Sequence, residues 1–318
     1  MFVLEKIAEK HKMRKNNRAV ALSFNWIFSL VVGAAILALA IYGVTKIVST
    51  GEEALYTETA ARLISLLDPF ETGLVSGKSA QINFEKPTRT FYECDEFSNQ
   101  PFGRQTISFS ERSIGDRWGD PGGRVTVKNK YIFAGNTLEG KNLYIFSKPY
   151  FMSFKVADLI MISSENYCFY NATEEIEEDL NELITNVFFT DNLENCTGMV
   201  NVCWGDFDCD IRVTQTRVVK GNKQLHYEGD LVYAAIFSSP ENYECNLKRL
   251  KAKFNELSLV YSDKINIIQK YGCGTGISSR LSAIRNQEVS SSNEFVSLKT
   301  DIDSLDSANS AARGCSLW

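Results

Sequence analysis

At 318 residues, with 44% apolar and 23% charged side chains, the chain is long enough for one large folded domain or two small ones, and its composition is not that of a disordered chain. The formal charge of −5 hides an asymmetry: residues 1–18 carry six Lys or Arg against two Glu, whereas residues 51–318 carry 27 basic against 37 acidic side chains. An acidic body repels a phosphate backbone, and with no aromatic-plus-basic signature in the chain, nucleic acid is excluded from the expected partners.

Residues 1–18 form a basic head. From Ala19 to Thr45 there is no charged residue, and the run from Trp26 to Tyr42 is almost wholly apolar. About 20 such residues at about 1.5 Å each match a hydrocarbon core of about 30 Å, so residues 19–45 are expected to form a transmembrane helix. That length is excessive for a buried core helix. A cleaved secretory signal would have a shorter apolar core, about 7–15 residues, ending in small residues, and the sequence Tyr-Gly-Val-Thr-Lys at 42–46 is a poor cleavage site. Trp26 and Tyr42 stand toward the two ends, where amphipathic rings favour the interface, and Arg14, Lys15 and Arg18 flank only the N-terminal side closely. The positive-inside rule then places the N-terminus in the cytoplasm and everything after the span outside it, in a single-pass protein of the cell membrane. Ser23 and Asn25, near the cytoplasmic edge, are expected to bond backbone or headgroups.

Beyond Lys46 the helical pattern resumes through Leu55, Leu63, Ile64, Leu66 and Leu67 before Asp68-Pro69, which gives a helical stalk over residues 46–70. Gly43 and Gly51 oppose a continuous helix by about 1 kcal/mol each. Residues 71–240 read as a β-rich extracytoplasmic domain, with alternation in Ala80–Phe84, Thr106–Phe109, Val125–Val127, Leu143–Phe146 and Ile211–Gln215. Thr173 caps an expected helix whose first turn is acidic (Glu174, Glu175, Glu177, Glu178) and whose apolar face is Ile176, Leu180, Leu183 and Ile184. Val218–Leu225 fits a hairpin turning at Gly221-Asn222, and Leu231–Phe237 fits a more deeply buried strand, with a short helix as the alternative.

Residues 241–318 change period. Leu247, Leu250, Phe254, Leu257, Tyr261 and Ile268 define one amphipathic helix, and Phe295, Leu298, Ile302 and Leu305 a second, expected to fold back on the first as a hairpin, with a short helix near Leu281 and Ile284 between them. The expected fold class is therefore α+β: an N-terminal transmembrane helix, a mainly antiparallel β outer domain and a C-terminal helical hairpin.

All eight cysteines, Cys94, Cys168, Cys196, Cys203, Cys209, Cys245, Cys273 and Cys315, follow the apolar segment, the distribution of a disulfide-bonded domain in an oxidising compartment. Cys245 and Cys273 bracket the first C-terminal helix, about 40 Å apart, too far to bridge. An antiparallel return would pair Cys245 with Cys315, the four central cysteines could bridge locally, and Cys94 and Cys273 would remain; eight cysteines nevertheless allow 105 pairings. No metal site is expected, because the cysteine spacings are not those of zinc ligands and His226 is the single histidine after the span. Asp206-Phe-Asp-Cys-Asp210 alternates as a calcium loop does but has Ile211 and Arg217 where that loop requires Gly and Glu. Gly272-Cys-Gly-Thr-Gly276 follows a helix and reads as a helix terminator, not a phosphate loop. Asn171-Ala-Thr173 and Asn195-Cys-Thr197 are acceptor tripeptides for N-linked glycan on the side assigned to the outside. No nucleophile-and-base signature accompanies His226, and the acidic pairs Glu177/Glu178 and Asp206/Asp208 suit surface charge better than catalysis, so no catalytic residue and no cofactor is expected.

Ser23-Phe-Asn-Trp26, Asp68-Pro-Phe-Glu-Thr-Gly73, Phe146-Ser-Lys-Pro149, Phe154-Lys-Val-Ala-Asp158, Tyr167-Cys168, Tyr243-Glu-Cys-Asn-Leu-Lys-Arg-Leu250 and Cys315-Ser-Leu-Trp318 together resemble a group of uncharacterised archaeal single-pass membrane proteins. The resemblance implies a shared architecture and an archaeal cell envelope, and carries no activity. Lys15-Asn-Asn-Arg-Ala19 before Val20 and an apolar helix is similar to the leader of type IV pilin precursors, which implies cleavage after Ala19 and assembly through the helix. The expected partners are the lipid bilayer, a protein or other envelope component, and further copies of the chain. The expected roles are a binding or structural module of the envelope, a pilin-like filament subunit, or a surface hydrolase built on His226 or a carboxylate pair.

Overall fold

A computed structural model of the chain describes residues 24–71, 78–96, 102–112, 117–181, 183–273, 276–312 and 315–318. The basic head, residues 15–19, Ser23 and Gly73 lie outside the described residues. The chain forms two compact units, Met1–Gly51 and Glu52–Trp318.

In the first unit, helix α1 (Phe24–Leu66) begins, and it runs on through Gly33, Gly43 and Gly51 without a break. Its stretch Asn25–Ile47 is the one helical segment among the described residues that is long and apolar enough to cross a membrane, and none of its 23 residues is buried. A membrane anchor and a signal helix share that property.

The second unit is a mixed α+β fold with two six-stranded sheets. Tyr56, Ala60, Leu63 and Leu67, three and four residues apart, form one buried face, extended by Phe70 of the short α2 (Asp68–Glu71). This face packs on the first sheet, formed by β1 (Lys78–Asp95), β2 (Arg104–Glu111), β3 (Val125–Val127), β4 (Tyr131–Phe133), β5 (Thr137–Met152) and β6 (Phe154–Ser163) in the order β3-β2-β1-β5-β6-β4. All its pairings are antiparallel except that of β4 with β6. The register of β1 with β5 shifts between Asn83 and Thr88, so Pro87 falls where no ladder N–H is needed. Both faces of the sheet are covered. Along β6, Ile160 and Ile162 join the core under Tyr56 and Leu63, while Leu159 and Met161 point into a second, larger core.

That larger core lies against the second sheet, which comprises β7 (Tyr167–Tyr170), β8 (Val187–Thr190), β9 (Val200–Trp204), β10 (Ile211–Val213), β11 (Arg217–Lys220) and β12 (Lys223–His226), with α3 (Glu174–Asn181) between β7 and β8. Its order is β12-β11-β10-β9-β7-β8. The β10-β11-β12 part is antiparallel, with Lys220 opposite Lys223 across the two-residue turn at Gly221 (φ 57°) and Asn222, as the sequence predicts. The β8-β7-β9-β10 part is parallel, so the expected antiparallel pairing holds for the first sheet apart from β4 and for β10-β11-β12, but not for this part. Adjacent parallel strands normally need a crossover of a dozen or more residues. The step from β9 to β10 takes only the loop 205–210, which the Cys203–Cys209 bridge ties back to β9.

Leu231–Phe237, expected first as a buried strand, is a helix, α4, and every one of its side chains is buried. Burial on all sides erases the periodicity that separates a helix from a strand. Lys220 closes its C-terminus, with Nζ donating to the carbonyls of Ile236 and Ser238 at 2.6 Å each. Burial lowers the Lys220 pKa to about 7. Four more helices follow: α5 (Pro240–Gln269), capped by Ser239, then α6 (Ile277–Asn286), α7 (Ser292–Ser297) and α8 (Lys299–Ala311). In place of a simple hairpin, α6 packs against both α5 and α8. The chain end consequently returns to the far end of α5, where Lys264 donates to the Leu317 carbonyl (2.6 Å) and Trp318 stacks edge-on to Tyr261. This overturns the expected Cys245–Cys315 pair. The bridges are Cys94–Cys245, Cys168–Cys196, Cys203–Cys209 and Cys273–Cys315, so the four central cysteines do pair locally. No cysteine is free.

A buried polar ladder fixes α5 to the first sheet. Asn242, Asn246 and Arg249 recur at three-and-four spacing along the edge strand β4. Asn242 donates to the Ala134 carbonyl (2.9 Å) and Asn246 to that of Ile132 (2.8 Å). Gln105 of β2 bonds both backbone groups of Ile132 (2.8 and 3.0 Å), although three strands separate β2 from β4 in the sheet order, so the sheet curls back on itself there. Arg249 fills the seam. It donates to Gln105, Asn246 and the carbonyls of Phe102 and Lys130 at 2.7–3.1 Å, with its guanidinium 4.8 Å over the Tyr131 ring. Burial lowers its pKa to about 10, which leaves it charged at neutral pH. Arg249→Met fills the same space but strands these acceptors, and urea unfolding is expected to show a loss on the order of 3 kcal/mol. An unchanged midpoint would show that the ladder contributes nothing.

Candidate functional site

A cleft of about 860 Å³ opens between α3, the 205–210 loop, the β10–β12 strands and the start of α4. The fold supplies its walls locally. Ile176 and Leu180 anchor α3 in the larger core, which leaves Glu175 and Asp179, one turn apart, on the flank facing the cleft. Trp204 ends β9 with its ring 5.0 Å from Phe169, and Gly205 (φ 116°) turns the chain toward Asp206. A Cβ on Gly205 would lie 2.9 Å from the Phe207 ring, so the turn requires glycine. On the other side Gly229 (φ 53°) sets Asp230 at the head of α4, where Tyr233 follows one turn later.

The charges are unevenly matched. Asp206 pairs with Arg212 at 3.3 Å. Asp179 accepts from Lys148 Nζ (2.7 Å) and from the Tyr233 hydroxyl (2.6 Å). Burial opposes the Asp179 charge, but these donors outweigh it and hold the carboxyl below its usual pKa. Asp230 shifts the other way. Burial is the main cause, and the repulsion of Asp179 and Glu175 adds to it against the pull of Lys148. Arg217 donates to the neutral Gln224 at 3.0 Å.

Of the residues singled out in the sequence, the structure brings Thr173, Glu175, Ile176, Asp206 and Arg217 to this cleft, while His226, Glu177, Glu178 and Asp208 are not in its walls. His226 is half-buried on β12, where its backbone bonds Ser292 and Tyr243, so the histidine candidate of the hydrolase reading does not line this cleft. Asp210 accepts from the backbone N–H of Asn201, and among the described residues no group of three or more His, Cys, Asp or Glu could hold a metal ion. Gly272 (φ 91°) and Gly276 (φ 63°) lie between α5 and α6. The acceptor asparagines Asn171 and Asn195 are exposed and converge on Thr190, the first through its backbone N–H and the second through its side chain. Trp204, Asp179, Asp230 and Tyr233 were not legible as site residues. The one local signal is the repeated Gly-Asp step, Gly205-Asp206 and Gly229-Asp230, which delivers a carboxylate from a left-handed glycine on either side of the cleft.

No protein-family model, no curated protein and no solved structure matches the chain.

Burial also raises the pKa of several phenols, Tyr92, Tyr150, Tyr243 and the cleft residue Tyr233 among them. A raised folded pKa gives stability that is complete below the unfolded phenol value of about 10 and is lost as pH climbs above it. The unfolding free energy is therefore expected to decline above about pH 10, with a shallower decline in Tyr150→Phe. Equal slopes in the two proteins would refute this origin.

Proposed function

We propose that the chain is a membrane-tethered binding module of the cell envelope: α1 anchors it, the disulfide-bonded unit Glu52–Trp318 works outside the cytoplasm, and the cleft between α3 and α4 receives its ligand. One conjunction carries the reading. An apolar stretch of 23 residues with no buried residue precedes a unit whose eight cysteines are all bridged. Such a stretch suits lipid, and a fully bridged unit suits an oxidising compartment. The cleft has the size and the mixture of aromatic and polar lining of a small-molecule site. The full chain should remain with membranes through alkaline carbonate washing. Protease added to intact cells should remove the C-terminal unit, and a membrane-impermeant maleimide should label it only after reduction. A cytosolic product with reactive thiols would sink the proposal.

A filament subunit is the second reading. It is favoured by the continuity of α1, apolar to Ile47 and then packed on the first sheet through Tyr56, Ala60 and Leu63. The mature N-terminus separates the two: Val20 for the filament subunit, Met1 or Phe2 for the tether.

A further inference from the structure

We propose that the cleft between α3 and α4 binds a small organic cation, a ligand that presents an amine to Asp230 and Glu175 and lays its carbon skeleton against Trp204 and Tyr227. The inference rests on the reading of the cleft as the binding site and names the chemistry of its ligand.

The cavity comes first. About 860 Å³, lined by Trp204, Tyr227 and Tyr233 together with Ile176, Val213 and Val232, offers room and apolar area for an organic body, far more than a bare ion needs. Charge then selects the head group. Four carboxylates line the cleft, Glu175, Asp179, Asp206 and Asp230, against the guanidinium groups of Arg212 and Arg217. Arg212 is taken up by Asp206, and Asp179 by Lys148 and Tyr233. What remains is Asp230 and Glu175, both lining the cleft and neither in an ion pair, with Lys148 acting on Asp230 at longer range and Arg217 at the strand side bonded to a neutral glutamine. The electrostatic balance favours a positive ligand, and the aromatic walls add the ring faces toward which ammonium groups are drawn. A metal ion is the poorer fit, since the carboxylates are not gathered into a chelating group among the described residues. A neutral sugar could donate hydroxyls to these carboxylates but would bring no charge to balance them.

The test uses the full chain in detergent, with spermidine as the probe, in a titration calorimeter at physiological salt. The expected result is saturable one-site binding, weakened at least tenfold by Asp230→Asn and unchanged by Glu177→Gln with Glu178→Gln, which remove charge from the exposed side of α3. Should Asp230→Asn unfold, Glu175→Gln is expected to give the same loss. Three results would overturn the proposal: no saturable binding of spermidine, an affinity in the Asp230 and Glu175 variants as high as in the unaltered protein, or a site that maltotriose or calcium saturates in preference to spermidine. Because the titration uses solubilised protein, its failure leaves the membrane tether standing, and a failed tether leaves the titration intact.

Discussion

The seam between α5 and the curled first sheet is the constraint from which the rest of the second unit follows. Edge strands carry unpaired backbone groups, and β4 is short and parallel to its one neighbour, so it would be a weak edge by itself. Asn242, Asn246 and Gln105 bond that backbone directly, Arg249 donates to the side-chain oxygens of Gln105 and Asn246, and the Asn242 oxygen accepts from the amides of Gln105 and Asn246. Such a network is costly if incomplete and specific when complete, because each amide and guanidinium has a partner in one register alone. With α5 held there, its opposite face presents Leu247, Leu250 and Phe254 to the larger core, which orders α6, α8 and the second sheet.

The bridges reinforce the same seam. Cys94–Cys245 ties the end of β1 to the first turns of α5 across 151 residues of sequence, the kind of long loop whose closure most restricts the unfolded chain. Cys273–Cys315 then pins the chain end to the far end of α5. The two central bridges are local: Cys168–Cys196 holds the 3-10 turn after β8 to β7, and Cys203–Cys209 holds the short parallel step that presents Asp206 to the cleft.

Much of this was legible in sequence wherever one face of an element is wet. Glu174 to Leu180 announces its helix through an acidic first turn and a clean apolar stripe, and Gly221-Asn222 announces its hairpin. Legibility fails where both faces are dry. Leu231–Phe237 reads first as a strand and is a helix, because none of its residues reaches water to mark a period, and Leu159–Ile162 of β6 shows no alternation because its two faces feed two different cores. The parallel step at β9–β10 was invisible for another reason: a six-residue connection implies an antiparallel turn unless the bridge is known. The cleft was hidden in turn, since its carboxylates come from α3, the 205–210 loop and the head of α4, which only the fold brings together.

The most direct test of this account is peptide mapping, by mass spectrometry without reduction, of protein taken from membranes with free thiols blocked at lysis. Four linked peptides are expected, joining Cys94 to Cys245, Cys168 to Cys196, Cys203 to Cys209 and Cys273 to Cys315. Blocked, unpaired cysteines, or a link between Cys245 and Cys315, would contradict the placement of α5 on the first sheet and with it the construction of the whole unit.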